Sequence, residues 1–179
     1  LFDRPIQQGL ALAFVARHAG ETIAERYGTQ PASDFEAAKP IDATSTLLSW
    51  SMAKSITHAA LGVLVADGLV DVDAPAPVPE WVGTDKERIT VLHLLEMRSG
   101  LRFAEDYVDG ATSHCIEMLF GETDPSFAHY AAGLPLDHRP GEHFNYSSGS
   151  TNILCRVIGD VVCGAPGGDP EHRRRRVED

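Results

Sequence analysis

The chain has 179 residues, 43% of them hydrophobic and 23% charged, with 26 Asp and Glu against 15 Lys and Arg for a formal net charge of −11. That composition supplies one apolar core, while the acidic balance repels a phosphate backbone and makes nucleic acid a poor partner. No run approaches the ~18 uninterrupted apolar residues of a membrane-spanning helix, so no membrane partner is expected.

The chain opens at Leu1-Phe2-Asp3-Arg4, with neither an initiator Met nor a signal-type apolar region, which reads as an interior cut and an incomplete amino terminus. From Gly9 to Val15 the residues are apolar and strand-compatible, and after His18-Ala19-Gly20-Glu21 a second run, Thr22 to Tyr27, completes a predicted hairpin. The nearly all-apolar first run fits a strand covered on both faces, and Glu25 and Arg26 suggest a more exposed partner. Residues 28–45, rich in Pro, Ala, Asp and Gly, read as a loop. Between Ser49 and Asp67 the apolar residues cover nearly the whole circumference of a predicted helix, as in one buried on most sides, with Gly68 as its stop. After the Pro-rich connector Asp73 to Pro79, Thr90 caps a short helix through Leu92, Leu94, Leu95 and Met97, ended by Ser99-Gly100.

Two more short helices are predicted near Ser113 to Phe120 and Pro125 to Ala132. The turn signal Arg139-Pro140-Gly141 leads to Phe144-Asn145-Tyr146-Ser147-Ser148-Gly149. Asn152 to Val162 then shows Ile153, Leu154, Val157, Ile158, Val161 and Val162 at helical spacing. From Gly164 the composition turns to Gly, Pro and Arg, so the domain is read as residues 1–163, with 164–179 as a tail outside the fold. Cys115, Cys155 and Cys163 lack C-x-x-C spacing and read as free thiols in a reducing, cytoplasmic setting. The eight His include no H-E-x-x-H; the nearest pair, His138 and His143, flanks a Pro-Gly turn, so no metal site is predicted and no cofactor is required.

Ser51-Met52-Ala53-Lys54 is the segment richest in chemistry. Three residues apart on a helix, a hydroxyl and an amine share one face. A lysine set among apolar residues is pushed toward its neutral amine, which can take the serine proton. Backbone N–H groups at the helix start can stabilise an oxyanion. Chance alone yields an S-x-x-K in roughly one such chain in five; this one also falls at the mouth of the most apolar helix. Tyr146, on the loop before the last helix, can carry a proton between a nucleophile and a leaving group. Trp50 reads as core and His58 as a satisfied buried histidine.

The blocks 48–57 (LSWSMAKSIT), 88–101 (RITVLHLLEMRSGL), Arg139-Pro140-Gly141 and Tyr146-Ser147-Ser148 together resemble the serine β-lactamase-related superfamily. The resemblance is nearest to class C-like esterases, D-aminopeptidases and 6-aminohexanoate-dimer hydrolases, and it covers residues 9–162. It implies an α+β, β-lactamase/transpeptidase-like fold, a helical region beside an antiparallel sheet, here truncated to the first hairpin and the helical region. It further implies a serine hydrolase of small-molecule esters or linear amides working through an acyl-enzyme on Ser51, with Lys54 and Tyr146 as proton-transfer groups; which of the two is the main base stays open.

Many relatives have Asn at the third position of the tyrosine motif. Here Ser148 stands in that substrate-binding position, which weakens a specific penicillin-recognising reading. Tyr107 lies where amide-hydrolysing relatives carry a substrate-facing loop. The family's third motif, on a later strand that also supplies an oxyanion donor, has no counterpart after Val162, and losing one such donor costs about 10²–10³ in turnover. The expectation is an amino-terminal part of a longer hydrolase, with a non-catalytic remnant as the alternative.

Overall fold

In the computed structural model Ala19 and Gly20 take φ of 48° and 86° and turn the chain back on itself. Positive φ at both central residues gives the turn twist that suits antiparallel strands. The turn joins β1 (Ala13–His18) to β2 (Glu21–Tyr27), paired from Ala13↔Tyr27 to His18↔Glu21 with a register shift at Ala16/Arg17. The structure describes residues 2–3, 9–107, 112–121 and 126–164 and divides into two units, Leu1–Ser49 and Trp50–Asp179. The hairpin of the first unit was expected to start at Gly9 and to be covered on both faces. It starts at Ala13, and Phe14 and Val15 are exposed, because an apolar run creates a demand for cover that no local interaction supplies.

Residues 28–45 are more ordered than a loop. Ser33 Oγ accepts from the amides of Phe35 and Glu36, a serine turn. That turn lets β3 (Thr29–Gln30) pair with β4 (Lys39–Pro40).

In the second unit α1 runs over Ala53–Ala66 and ends as the sequence implies. Gly68 has φ of 71°, its amide reaches Val65 O, and Leu69 N reaches Leu64 O, the bonding of a glycine-terminated helix. The expected burial on most sides is not found. Only Leu61 and Leu64 are buried, while Ile56, Val63 and Val65 are exposed, as is His58. A helix apolar all round has no preferred face of its own; the packed neighbours choose it, and they meet only one.

Helix α2 (Val91–Leu95) is capped by Thr90, whose Oγ1 accepts from His93 N while His93 Nδ1 accepts from Thr90 N, a reciprocal capping box with histidine in the third position. It stops short of Met97, which takes φ of 56°. Helices α3 (His114–Phe120) and α4 (Phe127–Gly133) start at the caps Ser113 and Ser126.

Helix α5 (Ser148–Cys163) closes on Gly164 at φ 64°. It begins four residues before the predicted Asn152, because Ser147 Oγ accepts from Ser150 N and starts the helix on a polar cap. Trp81, Ile89, Val91, Leu94, Ile153 and Leu154 fill the core with Leu61 and Leu64. Trp81 Nε1 donates to Ala132 O at 3.0 Å. The core tryptophan is thus Trp81, whereas Trp50, read as core, is 82% exposed.

No described helix is long and apolar enough to cross a membrane. The predicted tail at 164–179, with its Arg173 to Arg176 run, lies outside the described residues apart from Gly164.

Candidate active site

Ser51 sits in a 3-10 turn, Trp50–Met52, that runs directly into α1. Trp50 enters this turn at φ 45°, a left-handed conformation that a bulky side chain adopts only at a cost. The residue before α1, Met52, makes no side-chain cap hydrogen bond. One turn on, Lys54 Nζ is 3.2 Å from Ser51 Oγ, within the reach that the three-residue spacing allows. Lys54 is half-buried, on a helix less covered than its apolar sequence suggests.

Lys54 Nζ also donates to Ser148 Oγ at 3.0 Å, across 94 residues of chain. It lies over the ring of Tyr146, 4.9 Å from the centroid, a face that favours positive charge. Tyr146 immediately precedes the capping Ser147 and is 41% exposed. The cap that starts α5 therefore also delivers Tyr146 and Ser148 to Lys54.

Ser148, as the first residue of α5, has an amide that no helical carbonyl can reach. Glu105 Oε2 accepts from that amide at 2.6 Å, and Glu105 Oε1 accepts from Ser148 Oγ at 2.8 Å. An ionised carboxylate at a helix start is doubly favoured, by the free N–H and by the helix dipole. Tyr107 Oη faces Glu105 Oε1 at 3.1 Å and Cys115 Sγ at 3.4 Å. The hydrogen bond to the Cys115 thiol and, after it, the partial desolvation of the hydroxyl and the neighbouring Glu105 push the phenol above its usual range. Tyr107, 65% exposed, is thus linked to the cluster through Glu105.

The structure brings Ser51, Lys54, Tyr146 and Ser148 together and adds Glu105, which the sequence reading missed. The signal was weak: an acid is favoured at a helix start, but nothing local says which acid, 43 residues upstream, will serve. The segment around Glu105 is held on two sides. Asn145 Nδ2 donates to Phe103 O at 3.0 Å, and Ala104 N donates to His114 Nδ1 at 2.8 Å.

The other blocks of the resemblance also meet. Gly141 N donates to Arg98 O at 2.7 Å, Arg98 Nη2 bonds back to Gly141 O, and Gly100 lies so near His138 O that a Cβ there would stand 2.3 Å from it. His138 and His143 stack at 4.2 Å between centroids. A groove of about 720 Å3 beside them, lined by Arg88, His93, Asp137 and Arg139 among others, includes none of Ser51, Lys54, Tyr146 or Ser148. Cys115, Cys155 and Cys163 are free.

Comparison with known proteins places these features in a family. The Beta-lactamase family model matches residues 2–166. A 6-aminohexanoate-dimer hydrolase of Paenarthrobacter ureafaciens is 28% identical over 169 residues, which cover 89% of this chain and 40% of the relative. Esterase EstB of Burkholderia gladioli is 30% identical over 184 residues, covering 93% of this chain and 44% of the relative. Among solved structures, a putative 6-aminohexanoate-dimer hydrolase from Bacillus anthracis superposes with a TM-score of 0.60 at 17% identity, over 92% of this chain and 42% of the other. The chain spans about two fifths of the length of the curated relatives it matches. The α+β, β-lactamase-like fold implied by the sequence is the one observed.

Proposed function

The chain belongs to the beta-lactamase family, and from that membership we propose that it carries the nucleophile and proton-transfer groups of a serine hydrolase of small-molecule esters or linear amides. The observation that carries the reading is Lys54 Nζ at 3.2 Å from Ser51 Oγ and 3.0 Å from Ser148 Oγ.

Ser51 Oγ attacks the substrate carbonyl carbon as its proton passes to Lys54 Nζ, and the carbonyl electron pair becomes an oxyanion. Backbone N–H groups near the start of α1, where Met52 makes no side-chain cap bond, are the candidates to stabilise that oxyanion. The face of Tyr146 favours the charge Lys54 has gained. Collapse of the intermediate expels an alcohol or amine, which takes a proton by way of Tyr146, and the acyl group stays on Ser51 as an ester until water removes it. Ser148 and Tyr107 are the substrate-facing groups of this scheme. The relatives named for an esterase and for a dimer hydrolase support the ester and linear-amide classes.

Intact mass after incubation with a serine-directed fluorophosphonate tests the proposal. The parent chain is expected to gain one adduct and Ser51→Ala none. A parent chain that gains no adduct, or an adduct that persists in Ser51→Ala, would sink the proposal.

A further inference from the structure

The hydroxyl of Ser148 has one hydrogen and two lone pairs, and its surroundings dictate where the hydrogen goes. Ionised Glu105 can only accept, and its Oε1 stands 2.8 Å from Ser148 Oγ, so the hydrogen points to Glu105 and a lone pair faces Lys54 Nζ at 3.0 Å. The carboxylate is held in this pose. Its Oε2 takes the Ser148 amide at 2.6 Å, Tyr107 Oη faces its Oε1, and the segment behind it is tied by Asn145 and His114.

We infer that Glu105 is a positioning residue that sets the direction of the hydrogen-bond chain through Ser148 to Lys54, so that the lone pair of Lys54 faces Ser51. The inference rests on Lys54 being the base of the proposed reaction. A neutral amine has two hydrogens and one lone pair. Because Ser148 presents only an acceptor, one N–H of Lys54 is committed to it and the lone pair remains for the Ser51 proton. Were Ser148 to turn its hydrogen toward Lys54, it would occupy that lone pair and leave Lys54 able only to donate to Ser51. In the acylation step the Ser51 O–H bond breaks as the bond from Oγ to the carbonyl carbon forms and the proton moves to Nζ; Glu105 and Ser148 end with the protons they began with.

Glu105→Gln reverses this polarity at nearly constant size. The Ser148 amide claims the new amide oxygen, which leaves Nε2 as a donor to Ser148 Oγ and turns the hydroxyl toward Lys54. The test is the rate of fluorophosphonate modification of Ser51 against pH, for the 179-residue chain, Glu105→Gln, Ser148→Ala and the double variant. Glu105→Gln is expected to lower the high-pH plateau by about 10-fold or more, part of the roughly 10²–10⁴ that a positioned base contributes. It should have no further effect in the Ser148→Ala background.

Three results would overturn the inference alone. A change in the midpoint with the plateau kept would make Glu105 merely a nearby anion. An equal loss in both backgrounds would make it merely an anchor of α5. An unchanged plateau in Ser148→Ala, the variant that retains the backbone bond to Glu105 and serves should Glu105→Gln fail to fold, would show that the Ser148 hydroxyl directs nothing. A parent chain unmodified at Ser51 overturns the proposed function and this inference with it.

Discussion

The start of α5 is capped by Ser147, bonded to Glu105 and packed over Phe103, whereas Met52, at the start of α1, makes no side-chain cap bond and follows close on a tryptophan held at positive φ. The two helix starts carry the two halves of the candidate site. The half that presents Tyr146 and Ser148 stands on a helix that buries Ile153, Leu154 and Val157 among others; the half that presents Ser51 and Lys54 stands on one that buries only Leu61 and Leu64. Regions with few buried contacts open at low free energy, so the acceptor side is the fixed reference against which the nucleophile side is placed.

The contrast can be broken most forcefully at Gly149. A Cβ there would stand 2.6 Å from the Phe103 ring and 2.9 Å from Ala131 Cβ, so Gly149→Ala is expected to cost about 1–3 kcal/mol by overpacking, read as a lower denaturant midpoint. A change under about 0.5 kcal/mol would mean that α5 is less tightly seated than its contacts indicate.

A smaller effect is expected further along α5. Arg156 grips both oxygens of Glu80 at 2.7 and 3.0 Å, and His129 Nδ1 lies 2.7 Å from Oε1. Burial pushes the Glu80 carboxyl up, but Arg156, a backbone hydrogen bond and His129 outweigh it and bring it down to about 2. A carboxyl lowered on folding stabilises above its unfolded value, here 4.5, and loses that stabilisation as pH falls through about 2. Denaturant melts at neutral and acid pH should therefore show parent and Glu80→Gln converging by about 1 kcal/mol, an allowance that includes solvent screening. A gap that stays constant with pH would remove the clamp from the account.

The smallest effect belongs to α1. Ile56 is 72% exposed, so Ile56→Lys should change the unfolding free energy by no more than about 0.5 kcal/mol. A loss of about 2 kcal/mol would show that this face is covered in solution and would erase the contrast with α5.

Much of the local architecture was legible because its causes are local. Thr90 and Gly68 announced a helix start and a helix end through hydrogen bonds and backbone freedom within a few residues. The hairpin turn was legible at Ala19-Gly20 for the same reason. What was misread concerned cover: the exposure of α1, of β1 and of Trp50. Apolarity states a demand for burial, and only the arrangement of other elements meets it.

The candidate site divides along the same line. That Ser51 and Lys54 lie within reach of each other follows from helical spacing, which puts residues three apart on one face, and that much was readable from the chain alone. The delivery of Ser148 to Lys54 across 94 residues, and of Glu105 to the first amide of α5 across 43, was decided by tertiary structure. Those contacts depend on how α1, α5 and the 103–107 segment pack, and no short-range rule of spacing or propensity reaches that far along the chain.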